Sequence, residues 1–383
     1  MLLDQIVEEN AVAAGSTRPP PARSERFLGH LPFRGLLADV RGLSGTALQD
    51  KAELGWKVHT MPVGVIGARE TRKADGYQAL VRGGDGALLS ITSASFKPHQ
   101  NPEILAGLQS IATAGDAEIL YAGALDGGRK VAAIARLNGV FTMPDLRTPQ
   151  QVALGGHAGP VDDTVELYVV LSGGHEVGTP YKLRGMAFRL WCANGAFFTK
   201  YALSTYAVTH RQALAGHLDE IRKAYQRIQD EFTDYAEIAR RLALTEANQD
   251  QQRLFVAELL KPGIVQEVRT RFIAGLGDDP PDFDIYQAVG DSLRGQRALN
   301  EILLANESEP GFARTGATLL DAIVAQQGAN GSNLWTAYNG VTHHVNHVRG
   351  RSDATGVDAA LFGAGATLTE RALATAEKFA VAA

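Results

Sequence analysis

Between Trp56 and Leu183 the chain runs as short stretches with apolar residues at alternate positions, joined by glycine-rich turns of only a few residues. Gly83-Gly84-Asp85-Gly86 lies inside YQALVRGGDGALLSITSASF, Asp126-Gly127-Gly128 separates residues 118–124 from 130–142, and Gly173-Gly174 separates 165–171 from 177–183. Parallel strands need a crossover of a dozen residues or more, so connections this short force antiparallel hairpins. The glycines supply the positive φ that tight turns need. WKVHTMPVGVI adds one more strand before the first hairpin, and Pro98 closes the third strand. Asn101-Pro102-Glu103 then gives an N-cap, a first-turn proline and an early acid, which start a helix over 103–114. The unit reads β-β-β-α and continues as an antiparallel meander.

After Gly185 the pattern is read as helical. A short apolar, aromatic helix is expected over 186–199. From Thr209 to Leu244 the residues Leu214, Leu218, Ile221, Tyr225, Ile228 and Phe232 recur at the spacing of one helix face. Further helices are expected at 246–260, 264–274, 285–306, 318–327 and 334–348, and over the alanine-rich last twenty or so residues. Three consecutive prolines in STRPPPARSER exclude a helix or a central strand near the N-terminus. The fold class expected is therefore α+β: an extended N-terminal arm (1–53, with a short helix at 47–53), an antiparallel sheet domain (54–184), a helical region (185–351) and a C-terminal tail or helix (352–383). The arm's FLGHLPF is expected to dock on a neighbour, and 144–161 to form a loop or flap.

A chain of 383 residues with 45% hydrophobic and 21% charged residues is that of a folded soluble protein of about two to three domains. Its net charge of −5 hides an uneven distribution. Residues 181–227 carry eight cations against two carboxylates, whereas 229–310 carry eight cations against sixteen carboxylates. Such asymmetry fits one face for a polyanion and another that is solvated; two ordinary helix surfaces of opposite sign are the competing reading. The single cysteine, Cys192, excludes an internal disulfide framework and reads as a buried thiol beside Trp191 and Phe197. No leader pattern and no apolar run of about 18 residues is present, so a cytoplasmic protein without membrane contact is expected.

The glycine clusters lack the Lys-Ser/Thr of a phosphate loop and the strand-to-helix placement of a dinucleotide fingerprint. There is no G-x-S-x-G elbow. His343 and His347 stand one helical turn apart, a metal-ligand spacing, but His344, Val345 and Asn346 between them supply no HExxH glutamate. Hydrogen-bonding or packing histidines are the competing reading, and no catalytic residue, metal or cofactor is expected. The positive evidence is a basic and aromatic set. Lys57, Arg82 and Lys97 on strands, with Arg184, Arg189, Lys200, Arg211, Arg222 and Lys223 on helices, are expected to line one groove. Cations neutralise phosphates without reading sequence. Tyr181, Trp191, Tyr201, Tyr206, Trp335 and Tyr338 offer faces on which bases stack, with core packing as the alternative for Trp191, Trp335 and Tyr338.

RLWCANGAFF, the THRQ that follows it and NLWTAYNGVTHHVNHVRGR resemble the segments of the domain of unknown function 932 family, found on phages and plasmids. Arg189, Cys192 and Asn194 match its Arg-x-x-Cys-Asn-Asn-type segment, although Ala193 replaces the first asparagine. Thr209 and His210 match its basic, histidine-containing segment. Trp335, Asn339, Val341, Thr342, His347 and Arg349 match its Thr-x-Trp…Asn-x-Val-Thr segment, with Asn333-Leu334 in place of Thr-x. A β-β-β-α core followed by basic helices also resembles phage single-strand annealing proteins of the RecT, Erf and Rad type. That resemblance implies rings or filaments that hold single-stranded DNA in a basic groove.

The expected function is non-enzymatic single-stranded nucleic-acid binding, including annealing, in phage or plasmid recombination or replication, by a homo-oligomer. Lys182, Arg189, Lys200 and Arg211 are expected on phosphates, Trp191 or Tyr181 as a stacking face, and Asn194, His210 and Asn339 as hydrogen-bonding anchors. Arg184, Arg222, Lys223, Trp335 and Arg349 complete the set. Two other readings stand beside it: a homo-oligomeric assembly protein acting through the arm, and a metal-dependent enzyme using His343 and His347.

Overall fold

The computed structural model describes residues 37–67, 70–113, 117–143, 163–189, 194–197, 206–210, 217–274, 276, 284–309, 311–327, 331–348 and 363–382. The α+β class, the antiparallel sheets and the helical C-terminal region are as expected. A small sheet of β2 (Val58–Ile66), β3 (Thr71–Arg82) and β4 (Leu88–Ser93), in that order, leads into helix α2 (Asn101–Thr113). This is the β-β-β-α unit. The large sheet has the order β1 (Ala38–Asp39), β5 (Ala117–Leu125), β6 (Lys130–Met143), β7 (Asp163–Gly174), β8 (Tyr181–Arg189), β10 (Tyr206–Val208). From β5 to β8 it is an antiparallel meander. The outer edge of β8 is shared: β10 pairs with Tyr181, Lys182 and Leu183, and β9 (Asn194–Phe197) pairs with Met186 to Arg189.

Two expectations need correction here. Residues 186–189 and 194–197 form strands, not a helix, so Arg184 and Arg189 are sheet residues. The short helix expected at 47–53 is present as α1 (Gly45–Lys51), but the residues before it are packed and not an extended arm: β1 pairs with β5, and Leu37, Val40 and Leu48 are buried. Residues 1–36 and 144–162 lie outside the described residues.

Both faces of the large sheet are covered. Leu167, Val169, Leu171, Tyr181 and Leu183 point to one side, against Ile104, Leu105 and Leu108 of α2 and Ile221, Ala224, Tyr225 and Ile228 of α3 (Leu218–Leu244). Ala132, Ile134, Tyr168, Val170, Met186 and Phe188 point to the other, with Leu37 and Ala366. The helical region continues with α4 (Gln249–Leu260), α5 (Ile264–Ile273), α6 (Ile285–Asp291), α7 (Leu293–Asn306), α8 (Phe312–Gln326), α9 (Leu334–His343), a π-helical turn (His344–Val348) and α10 (Ala364–Ala382). The single helix expected over 285–306 is broken at Ser292. Its backbone is extended and its hydroxyl accepts from the Gly295 amide at 3.0 Å, so Ser292 caps α7. Gly295 permits the fold-back, because a Cβ there would lie 2.6 Å from the Ala288 carbonyl carbon.

Among the described residues no helix is long and apolar enough to cross a membrane.

Candidate functional site

Strand geometry decides where the predicted cations go. Successive side chains on a strand point to opposite faces. Lys182 and Arg184 therefore share a face of β8, while Arg189 projects to the other one. The single groove expected from the sequence is not what these described residues form.

On the first face, Lys130, Ser172, Glu176, Thr179, Lys182 and Arg184 line a cleft of about 290 Å³ at the β7–β8 turn. The register places Lys182 opposite Ser172 and Lys130 opposite Gly174, so β6 and β8 deliver the cations, and β7 between them the serine, to one end of the sheet. Arg184 is buried, and desolvation lowers its pKa while Glu370 opposes that shift. An arginine remains cationic even so. Glu176 is the acid in the cleft wall, with an oxygen 3.7 Å from Lys130 Nζ. Ser172 Oγ is buried and has no hydrogen-bond partner. A hydroxyl left unsatisfied beside three cations suits an anionic oxygen as its missing partner.

The wall of this cleft is held from behind by buried histidines. His175 is fully buried, and its backbone amide donates to Arg129 O at 2.7 Å. Asn101 Nδ2 donates to the carbonyls of Leu54 (3.1 Å) and Trp56 (3.2 Å), which leaves Oδ1 as the acceptor for His175 Nε2–H at 3.0 Å. Burial first, then His210 and His99, pull His175 down to about 4, so it is neutral at pH 7. The ring nitrogens of His210 face the carbonyl oxygens of Thr179 (2.9 Å) and Lys97 (3.3 Å), and Phe96 stacks on the ring at 4.1 Å. His210 thus bridges two stretches of the protein's own backbone.

On the other face, two of the three motif segments meet in the core. The Arg189 guanidinium carbon lies 5.9 Å from the Trp335 ring centroid. Trp335 also packs against Tyr235 and Tyr338, at 6.2 and 5.7 Å between centroids. Arg189, Trp335, Tyr338, Asn339 and Thr342 are all buried. Asn339 Nδ2 donates to Trp335 O at 2.8 Å, a bond within α9. Asn194 begins β9 directly opposite Arg189. Trp335 and Asn339 are consequently core residues with no face open to a base, and Tyr181, with no exposed surface, is likewise core. Gly340 lets α8 and α9 touch: a Cβ there would sit 2.5 Å from the Ile323 Cα.

The remaining sites are dispersed. Arg222, Lys223 and Arg227 are exposed on α3, and Arg222 lies 3.5 Å from Asp219. α3 covers the sheet face opposite to the cleft, so its cations do not line the cleft. Lys57 and Lys97 are exposed, whereas Arg82 is bound to Asp85 and to Gly127 O. Trp191, Lys200, Tyr201, Arg211 and Arg349 lie outside the described residues. The His343 and His347 rings are 4.8 Å apart, and burial, then His347 and His344, lower His343 to about 4. Among the described residues no group of three or more His, Cys, Asp or Glu side chains is arranged to hold a metal ion.

The family model of a domain of unknown function (DUF932) matches residues 88–364. No curated protein and no solved structure matches the chain. The match takes in β4, the whole meander, both buried motif segments and the cleft, and the chain belongs to the DUF932 family.

Proposed function

We propose that this protein binds single-stranded nucleic acid without catalysing a reaction, and that it does so in the cytoplasm, in phage or plasmid recombination or replication that includes strand annealing. The observation that carries this reading is the convergence of Lys130, Lys182 and Arg184 on one cleft, beside the unsatisfied hydroxyl of Ser172. Three cations within one small cleft suit a phosphodiester, which is held by charge whatever its base. A cleft at one sheet end also suits a flexible single strand better than a stiff duplex.

Fluorescence anisotropy with labelled single- and double-stranded oligonucleotides, followed across a salt titration, tests it. Binding that favours the single strand and weakens steeply with salt is expected. Equal and negligible binding of both at low salt overturns the reading.

A further inference from the structure

Among the described residues nothing covers one face of the small sheet. Cross-strand partners share a face, so the pairs His59–Val81, Met61–Ala79, Ala79–Ile91 and Val81–Leu88 put these side chains on one side. Tyr77, two residues from Ala79, joins them. Val58, Leu80 and Leu89 take the other side and pack on Trp56 and Phe96. Met61, Tyr77, Leu88 and Ile91 are each more than half exposed. A contiguous apolar patch of this kind marks a surface that another segment covers.

The direction of the chain indicates which segment. β1 is antiparallel to β5, with Ala38 opposite Ala122 and Asp39 opposite Tyr121, and Leu37 lies against Gly123. Extending this register beyond Leu37 leads toward Leu125 and the turn at Asp126–Gly128. The small sheet is fastened at that turn: Arg82 Nη1 donates to Gly127 O at 3.2 Å, and Trp56 lies beside Gly128. Leu88 begins β4 next to this point, since the Arg82 amide donates to Ala87 O at 2.9 Å. Thirty-six residues precede Leu37, and among them Phe27, Leu28, Leu31 and Phe33 form an apolar group. At ~3.3 Å per residue, position 33 lies within ~13 Å of Leu37 and position 27 within ~33 Å. That span matches the small sheet from Leu88 outward to Tyr77.

We propose that residues 27–33 of the same chain cover the Met61–Tyr77–Leu88–Ile91 face of the small sheet. An extended segment with this sequence presents Phe27, Leu31 and Phe33 on one side. Pro32, which has no N–H to leave unsatisfied, then falls on the other.

Photo-crosslinking of the full chain tests the proposal, with p-benzoylphenylalanine at position 27 or 33 and mapping by mass spectrometry. Cross-links within one chain to residues 58–66 or 77–93 are expected. Cross-links to other surfaces, no cross-link, or cross-links that join two chains overturn it, the last assigning the face to a second copy. A side-chain readout accompanies it. In the full chain carrying Phe27→Asp and Phe33→Asp, peroxide should oxidise Met61 roughly threefold faster or more than in the unsubstituted chain. Equal rates overturn the proposal.

Discussion

Arg184 and Arg189 lie on the same strand, both buried, and do different things. Arg184 faces a cleft with two lysines and an unsatisfied serine. Arg189 faces the Trp335 ring, which packs in turn on Tyr338 and Tyr235. Five positions is an odd number, and odd spacing on a strand means opposite faces. A basic, aromatic sequence segment is therefore two structures back to back: one lines a cleft with cations, the other joins the sheet to the helices.

The contrast breaks first at its structural side. Trp335→Ala should lower unfolding stability by about 3–5 kcal/mol, as for a large aromatic removed from a packed core. Chemical denaturation measures it, and a loss below about 1 kcal/mol would mean that Trp335 is not core. Next in size is acid sensitivity. The folded-state pKa of His175, about 4, lies below its unfolded value of 6.5. Its contribution is complete above about pH 6.5 and is lost as pH falls toward 4, by about 3 kcal/mol in all. His175→Gln should flatten that part of the stability curve, and an unchanged slope would assign the acid sensitivity elsewhere. Gly340→Ala should cost about 1–3 kcal/mol by forcing α8 from α9, with wild-type stability as the contrary result. Smallest is the α3 pair: Arg222→Glu with Lys223→Glu should shift stability by no more than about 0.5 kcal/mol, since both side chains are exposed. If that pair also abolishes oligonucleotide binding, the α3 surface and not the cleft is the binding face.

Much of the fold can be read from residue order, because glycine turns and helix periodicity are local signals. The segment at 186–189 misleads for a physical reason. Met186, Ala187, Phe188 and Arg189 are all buried, since β8 is covered on both faces. A strand covered on both sides loses its alternation and reads as a helix. That reading turned Arg184 and Arg189 into helix neighbours of one groove. Ser292 and Gly295 carry a breaker signal inside an otherwise periodic stretch that periodicity outweighed. In the cleft, Lys182 and Arg184 were legible and Lys130 was missed. Its signal lay in the meander itself, which puts the 126–128 turn and the 175–180 turn at the same end of the sheet. The His99, His175 and His210 group had no local signal, because its members come from three separate connections and meet only in three dimensions.

The most direct test sets two variants side by side, Lys130→Glu with Lys182→Glu against Arg189→Ala, each measured for Tm and for affinity to a labelled single-stranded oligonucleotide. The lysine pair should keep its Tm within a few degrees of the unsubstituted protein and lose affinity by about tenfold or more, as phosphate contacts do. Arg189→Ala should lose Tm, and at temperatures where it stays folded it should bind nearly as well as the unsubstituted protein. A lysine pair that binds normally, or an Arg189 variant that keeps its stability and loses binding, contradicts the division of β8 into a binding face and a structural face.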